Sequence, residues 1–147
     1  MIMKFTRQQT MAHVRDDTDF AEWYVEDFMK NNLATFYYEV SDSGKREMTI
    51  NGRHYAKGFG LLDSQHQAHF ITLMWQMGPN FFSFPAFRTI LTNSKLGEAE
   101  KFDRIYQIPP EEAAVAIENG DDNWWWPEMV PIEQRHLMPA GVITTNV

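Results

Sequence analysis

His66 and His69, three residues apart, are the pair in this chain whose spacing best suits joint chemistry. On a helix that spacing puts both imidazoles on one face, with Asp63 as the nearest third ligand. Neither an H-E-x-x-H run nor a Glu-x-x-His pair accompanies them, so they read as polar residues of a helix surface. His54 and His136 have no sequence neighbour that assigns them a role. Ser41, Ser43, Ser64, Ser83 and Ser94 fall at caps and turns, and none sits in a G-x-S-x-G elbow. A Ser/His/Asp site assembled in space stays open as an alternative. Gly58-Phe59-Gly60 lacks the spacing of a phosphate loop and reads as a helix terminator. The carboxylate pairs Glu111/Glu112 and Asp121/Asp122 fall at a helix start and in a turn, where solvation or the helix dipole accounts for them. The chain has no cysteine, which removes disulfides, thiolate chemistry and cysteine-based zinc sites. No catalytic, cofactor-binding or metal-ligating set is read here, and the expectation is a binding protein rather than an enzyme.

One stretch resists so plain a reading. Between Gln107 and Gln134 lie seven acids, namely Glu111, Glu112, Glu118, Asp121, Asp122, Glu128 and Glu133, and no Lys or Arg. Trp124, Trp125 and Trp126 interrupt it. Three consecutive indoles fan outward from any regular backbone, so at least one should be partly exposed. Trp anchors interfaces, and an acidic field steers a basic partner. Glu111, Glu112, Glu118, Asp121, Asp122, Trp124, Trp125, Trp126 and Glu128 are therefore candidate partner-binding residues. The competing reading is that two of the indoles pack over the helices while the acids keep the surface solvated.

The elements that must position these residues are helices. Asp16, Asp17, Thr18 and Asp19 form a helix-start cluster. Phe20, Trp23, Tyr24, Phe28, Leu33 and Tyr37 follow at helical spacing, which predicts a helix over 18–40 with an uncertain end in the aromatic, β-branched run 35–40. A turn at 41–44 precedes a second helix over 45–57, weakened by Asn51-Gly52. The third helix starts at Asp63 or Ser64, carries Phe70, Leu73, Met74 and Met77 on one face, and ends at Gly78-Pro79. Shorter helices are expected from Ser83 with Pro85 in the first turn, over 96–106, and from Glu111 to Asn119-Gly120. The last 27 residues hold three prolines and no clean period, so they read as an extended tail over the helices, with a short strand at Ile143–Thr145. Residues 1–15 read as a loose lead-in. The expected core includes Trp23, Phe28, Leu73, Met77, Phe87, Ile90 and Phe102. The fold class is mainly α: one compact orthogonal multi-helix domain over 1–147, with a helical core at 16–106 and an acidic, Trp-bearing, partly irregular tail at 107–147.

Composition bounds the partners. A chain of 147 residues that is 44% hydrophobic has material for a core. Its net charge of −7 repels a phosphate backbone, and no Lys/Arg stripe offsets it, which argues against nucleic acid. No apolar run approaches the roughly 20 residues that span a bilayer, and no secretory signal is visible. The absence of cysteine fits a cytoplasmic protein. A monomer or small homo-oligomer is expected.

The middle of the chain resembles a family. Ile50-Asn51-Gly52-Arg53-His54-Tyr55-Ala56-Lys57-Gly58-Phe59-Gly60-Leu61 is similar to an I-x-x-G-x-x-x-A-x-x-[YF]-G-[IL] pattern, with Gly52 displaced from the usual place. The run from Phe70 to Phe81 resembles an F-[IV]-x-L-M-x-x-x-G-x-x-F helix end, and Pro85 with Ile90-Leu91 resembles the P…I-L that follows. These are small helical proteins of Gram-negative bacteria, often encoded beside effectors and spike components of the type VI secretion system. The resemblance covers roughly 20–106 and does not extend to the tail. It transfers no catalytic residue. What it implies is an immunity protein that neutralises a secreted toxin by direct binding, or an adaptor or chaperone that loads an effector. A hydrolase or metal enzyme built from scattered His, Asp and Ser residues is the alternative from another class.

Overall fold

Asp16 opens the first helix by accepting a hydrogen bond from the Asp19 N–H at 2.8 Å. In the computed structural model, which describes residues 16–142, helix α1 spans Asp17–Trp23 and passes into a π-helical turn, Tyr24–Met29, then α2, Lys30–Asn32. The wider turn brings neighbouring residues to one side: Tyr24, Val25, Phe28 and Met29 are all buried. The helix expected to run unbroken to Val40 instead breaks at Leu33, whose backbone leaves the helical region (φ −133°, ψ 49°). Asn31 and Asn32 stand just before the break, where their side-chain amides donate to the Asp27 and Phe28 carbonyls at 2.7 and 2.8 Å. Helix α3, Ala34–Glu39, follows at once.

Ser41 caps α4, Asp42–Gly58, and Asp63 caps α5, Ser64–Met77. These two form the centre of the molecule, and α1 packs against α4. Every residue of α5 from Gln67 to Trp75 is buried, so its environment is apolar all round rather than on one stripe. Gly52, which weakens α4 as a sequence, is needed by the packing. A Cβ there would sit 2.9 Å from Ile71 Cγ1 and 3.1 Å from Met74 Sδ, so the missing side chain lets α4 and α5 approach closely. Gly52→Val is accordingly expected to lower stability by about 1–3 kcal/mol in urea unfolding, although Val is the better helix former. An unchanged midpoint would mean that the helices do not meet at this point.

Two short helices, α6 (Pro85–Leu91) and α7 (Glu98–Ile105), pack on each other, and α8 (Pro110–Glu118) lies against α5. Gly78, at φ +118°, turns the chain out of α5 where its Cβ would meet the Gly120 Cα at 3.2 Å. Asn80, itself buried, ties the same crossing by donating to the Asn119 carbonyl and accepting from the Asp121 N–H. The tail differs from an extended strap. It forms three 3₁₀ turns, Asp122–Trp125, Pro127–Met129 and Ile132–Leu137. The strand expected at Ile143–Thr145 and the lead-in over 1–15 lie outside the described residues. Trp23, Phe28, Leu73, Phe87 and Phe102 are buried as expected, while Met77 and Ile90 are partly buried against the same core. No helix among the described residues is long and apolar enough to cross a membrane.

Candidate functional site

The tail is held to the body through two of its own indole residues' backbones. Tyr55 and Asn51 lie four apart on α4, so their side chains reach the same surface. Tyr55 donates its hydroxyl to the Trp124 carbonyl at 2.6 Å, and Asn51 donates its amide to the Trp125 carbonyl at 2.9 Å. Asp121 starts the turn by accepting from the Asn123 N–H at 3.0 Å. Those bonds aim the three indoles differently. Trp124 is inserted against Phe82, edge-on, with ring centroids 5.6 Å apart, and is buried. Trp125 is buried against Trp75 with centroids 4.4 Å apart. Trp126 is the partly exposed member that the fanning argument requires.

Trp126 borders a cleft of about 310 Å³ between α3, α5 and the tail. Trp75, Trp125, Met48 and Met74 line its apolar interior, and Phe36 faces them from α3. Two carboxylates stand on its wall, Glu39 from α3 and Asp122 from the tail, and no Lys or Arg among the described residues lines it. Of the acids singled out in the sequence, Asp122 alone reaches this cleft. Glu111 and Glu112 sit in the first turn of α8 and Glu118 at its far end, roughly 10 Å away at the helical rise. All three are exposed, as is Glu128, while Asp121 is half-buried in its turn. Glu39 and Phe36 were missed by sequence reasoning. The only trace of them was the aromatic run 35–40, which reads as a doubtful helix end.

The histidines lie elsewhere. His69 is buried, which corrects its reading as a surface residue. Its ring stacks on Phe102 with centroids 4.3 Å apart and planes 6° apart, and Nε2 is hydrogen-bonded to the Tyr106 hydroxyl at 2.6 Å. Burial, with His66 nearby as a smaller cause, pulls the His69 pKa down to about 4, so the ring is neutral at pH 7. The sequence hid this because Phe102 and Tyr106, four apart on and just after α7, come from a distant segment. His66 Nδ1 contacts Glu98 at 2.8 Å. Glu98 also accepts from the Leu62 and Asp63 N–H groups at 3.1 and 3.2 Å, ahead of α5. Burial raises the Glu98 pKa, but these hydrogen bonds outweigh it and the net shift is downward. His54 pairs with Asp17 at 2.8 Å, and Arg53 joins the same carboxylate at 3.0 Å while donating Nε to Gln67. His136 is exposed. Each histidine of α4 and α5 is thus engaged with a separate partner, and no group of three His, Cys, Asp or Glu among the described residues is placed to hold a metal ion.

No family model, no curated protein and no solved structure matches the chain.

Proposed function

We propose that this chain is a binding protein that takes a basic segment of a protein partner into the cleft beside Trp126. The carrying observation is the placing of Glu39 and Asp122 on the wall of an aromatic cleft that no cation among the described residues lines. A Lys or Arg side chain lays its stem on Trp126 and Phe36, takes cation–π attraction from the indoles, and brings its charge to the two carboxylates. The exposed acids of α8 and the tail add a long-range field that draws such a segment in. Together with the family resemblance, this supports a role as an immunity protein: the partner is a secreted effector, neutralised by direct binding. An adaptor role would use the same contact and release the effector at the secretion machine. Catalysis is not part of the proposal.

The test is capture of the partner from the native host with the full chain, followed by co-expression with the captured protein and binding kinetics on the purified pair. Wild-type chain should relieve effector-dependent growth arrest. Trp126→Ala should weaken affinity at least about thirtyfold, or about 2 kcal/mol, as for an interface anchor. Combined Glu39→Gln and Asp122→Asn should slow association and flatten its salt dependence, since rim charges act on encounter. Wild-type affinity in the first variant together with unchanged association in the second would remove the cleft from the interface.

A further inference from the structure

A second cavity, of about 540 Å³, opens where the end of α4 meets α6, α7 and the tail. Its wall shares no residue with the aromatic cleft. Lys101 and Arg88 line it and no Asp or Glu among the described residues does, in a chain whose net charge is −7. Lys101 is 6% exposed, and its Nζ donates to the Phe59 and Leu91 carbonyls at 2.9 and 2.8 Å. An ammonium has three donors, so one N–H has no partner among the described residues. Among the described residues the Arg88 guanidinium makes a single long hydrogen bond, Nη2 to the His136 carbonyl at 3.4 Å, and no ion pair. Its Nε is buried with no hydrogen-bond partner among the described residues.

Lys101 and Arg88 thus line one space. Burial lowers the Lys101 pKa against the opposing pull of Glu98, whose oxygens are already engaged by Leu62, Asp63 and His66. An added anion would favour the charged amine. The remaining wall mixes polar groups, Thr92 and Ser94 among them, with the apolar side chains of Phe59, Leu96 and Met138. The tail closes one side because Gly58 has no side chain: a Cβ would lie 2.7 Å from both the Ala140 carbonyl oxygen and Pro139 Cβ. Charge at one point and apolar surface around it call for a ligand of the same pattern.

We propose that this cavity binds a small organic carboxylate with an apolar body, the carboxylate held by Lys101 and Arg88 and the body lying on Leu96 and the accessible edges of Phe59 and Met138. The site stands independently of the aromatic cleft and of any protein partner.

Calorimetric titration of the full chain with octanoate, 1-octanol and inorganic phosphate tests it. Octanoate should bind at one site per chain. Octanol, which keeps the apolar body without the charge, and phosphate, which keeps charge without the body, should each bind at least about tenfold more weakly, since charge-assisted hydrogen bonds and apolar burial both contribute. Arg88→Gln should weaken octanoate by a similar factor. Lys101→Met leaves the Phe59 and Leu91 carbonyls without their donor and can fail to fold, so Ser94→Glu serves as the second variant. It places a carboxylate on the exposed edge of the same wall and should also weaken octanoate. The proposal is overturned by any of three results: no saturable octanoate binding, octanol or phosphate binding as tightly as octanoate, or wild-type affinity in both Arg88→Gln and Ser94→Glu.

Discussion

Trp124→Ala should destabilise the protein by about 3–5 kcal/mol, the range for removing a large buried aromatic. The indole is 1% exposed and fills the space beside Phe82. The Tyr55 hydrogen bond goes to the Trp124 backbone carbonyl, so it survives the substitution and is not part of the loss. Trp124→Phe sharpens the result. The indole Nε1 is buried with no hydrogen-bond partner among the described residues, and such a donor carries a desolvation cost of about 1–3 kcal/mol. Phe removes that cost while keeping most of the ring, so it should be far milder than Ala. Trp126→Ala, at the partly exposed position, should cost about 1 kcal/mol or less. Urea denaturation of the three variants makes the comparison. Equal losses at 124 and 126 would contradict the division of the indoles into core and cleft.

Stability should also fall by about 3 kcal/mol as pH drops from 7 to about 4, through His69. The sign follows from the direction of the shift. The folded-state pKa is about 4, below the ordinary histidine value of 6.5, so the unfolded chain binds the proton first. The contribution is complete above about pH 6.5 and is lost progressively down to about 4. Asp17 and Glu98 act in a lower window. In both, burial raises the pKa, but the hydrogen-bonded and cationic neighbours dominate and depress it, so their stabilisation is present above the unfolded carboxylate range and lost beneath it. His69→Phe retains a ring against Phe102 and removes the titration. Its stability, though lower at pH 7 for want of the Tyr106 bond, should vary much less between pH 7 and about 5. A wild-type pH slope in that variant would assign the acid sensitivity to another group.

The helical framework was legible because its signals are local. Asp63 before α5, Gly78 after it, Pro85 at the start of α6 and the 3.6-residue spacing of Phe70, Leu73 and Met74 act within a few residues, where backbone sterics and capping decide the outcome. The sequence also marked the three indoles and the acids around them as unusual, and required one indole to be partly exposed. Only tertiary packing decided that it is Trp126, because the choice depends on hydrogen bonds from Tyr55 and Asn51, about 70 residues away, to the backbone of its neighbours. Packing likewise turned Gly52 from a weak point into a contact, buried His69 under Phe102, and set Glu39 opposite Asp122. Each of these depends on what a distant segment brings within a few ångströms. Residue type and spacing establish which groups are available, but burial and pairing, and with them charge state and exposure, arise only when separate helices meet.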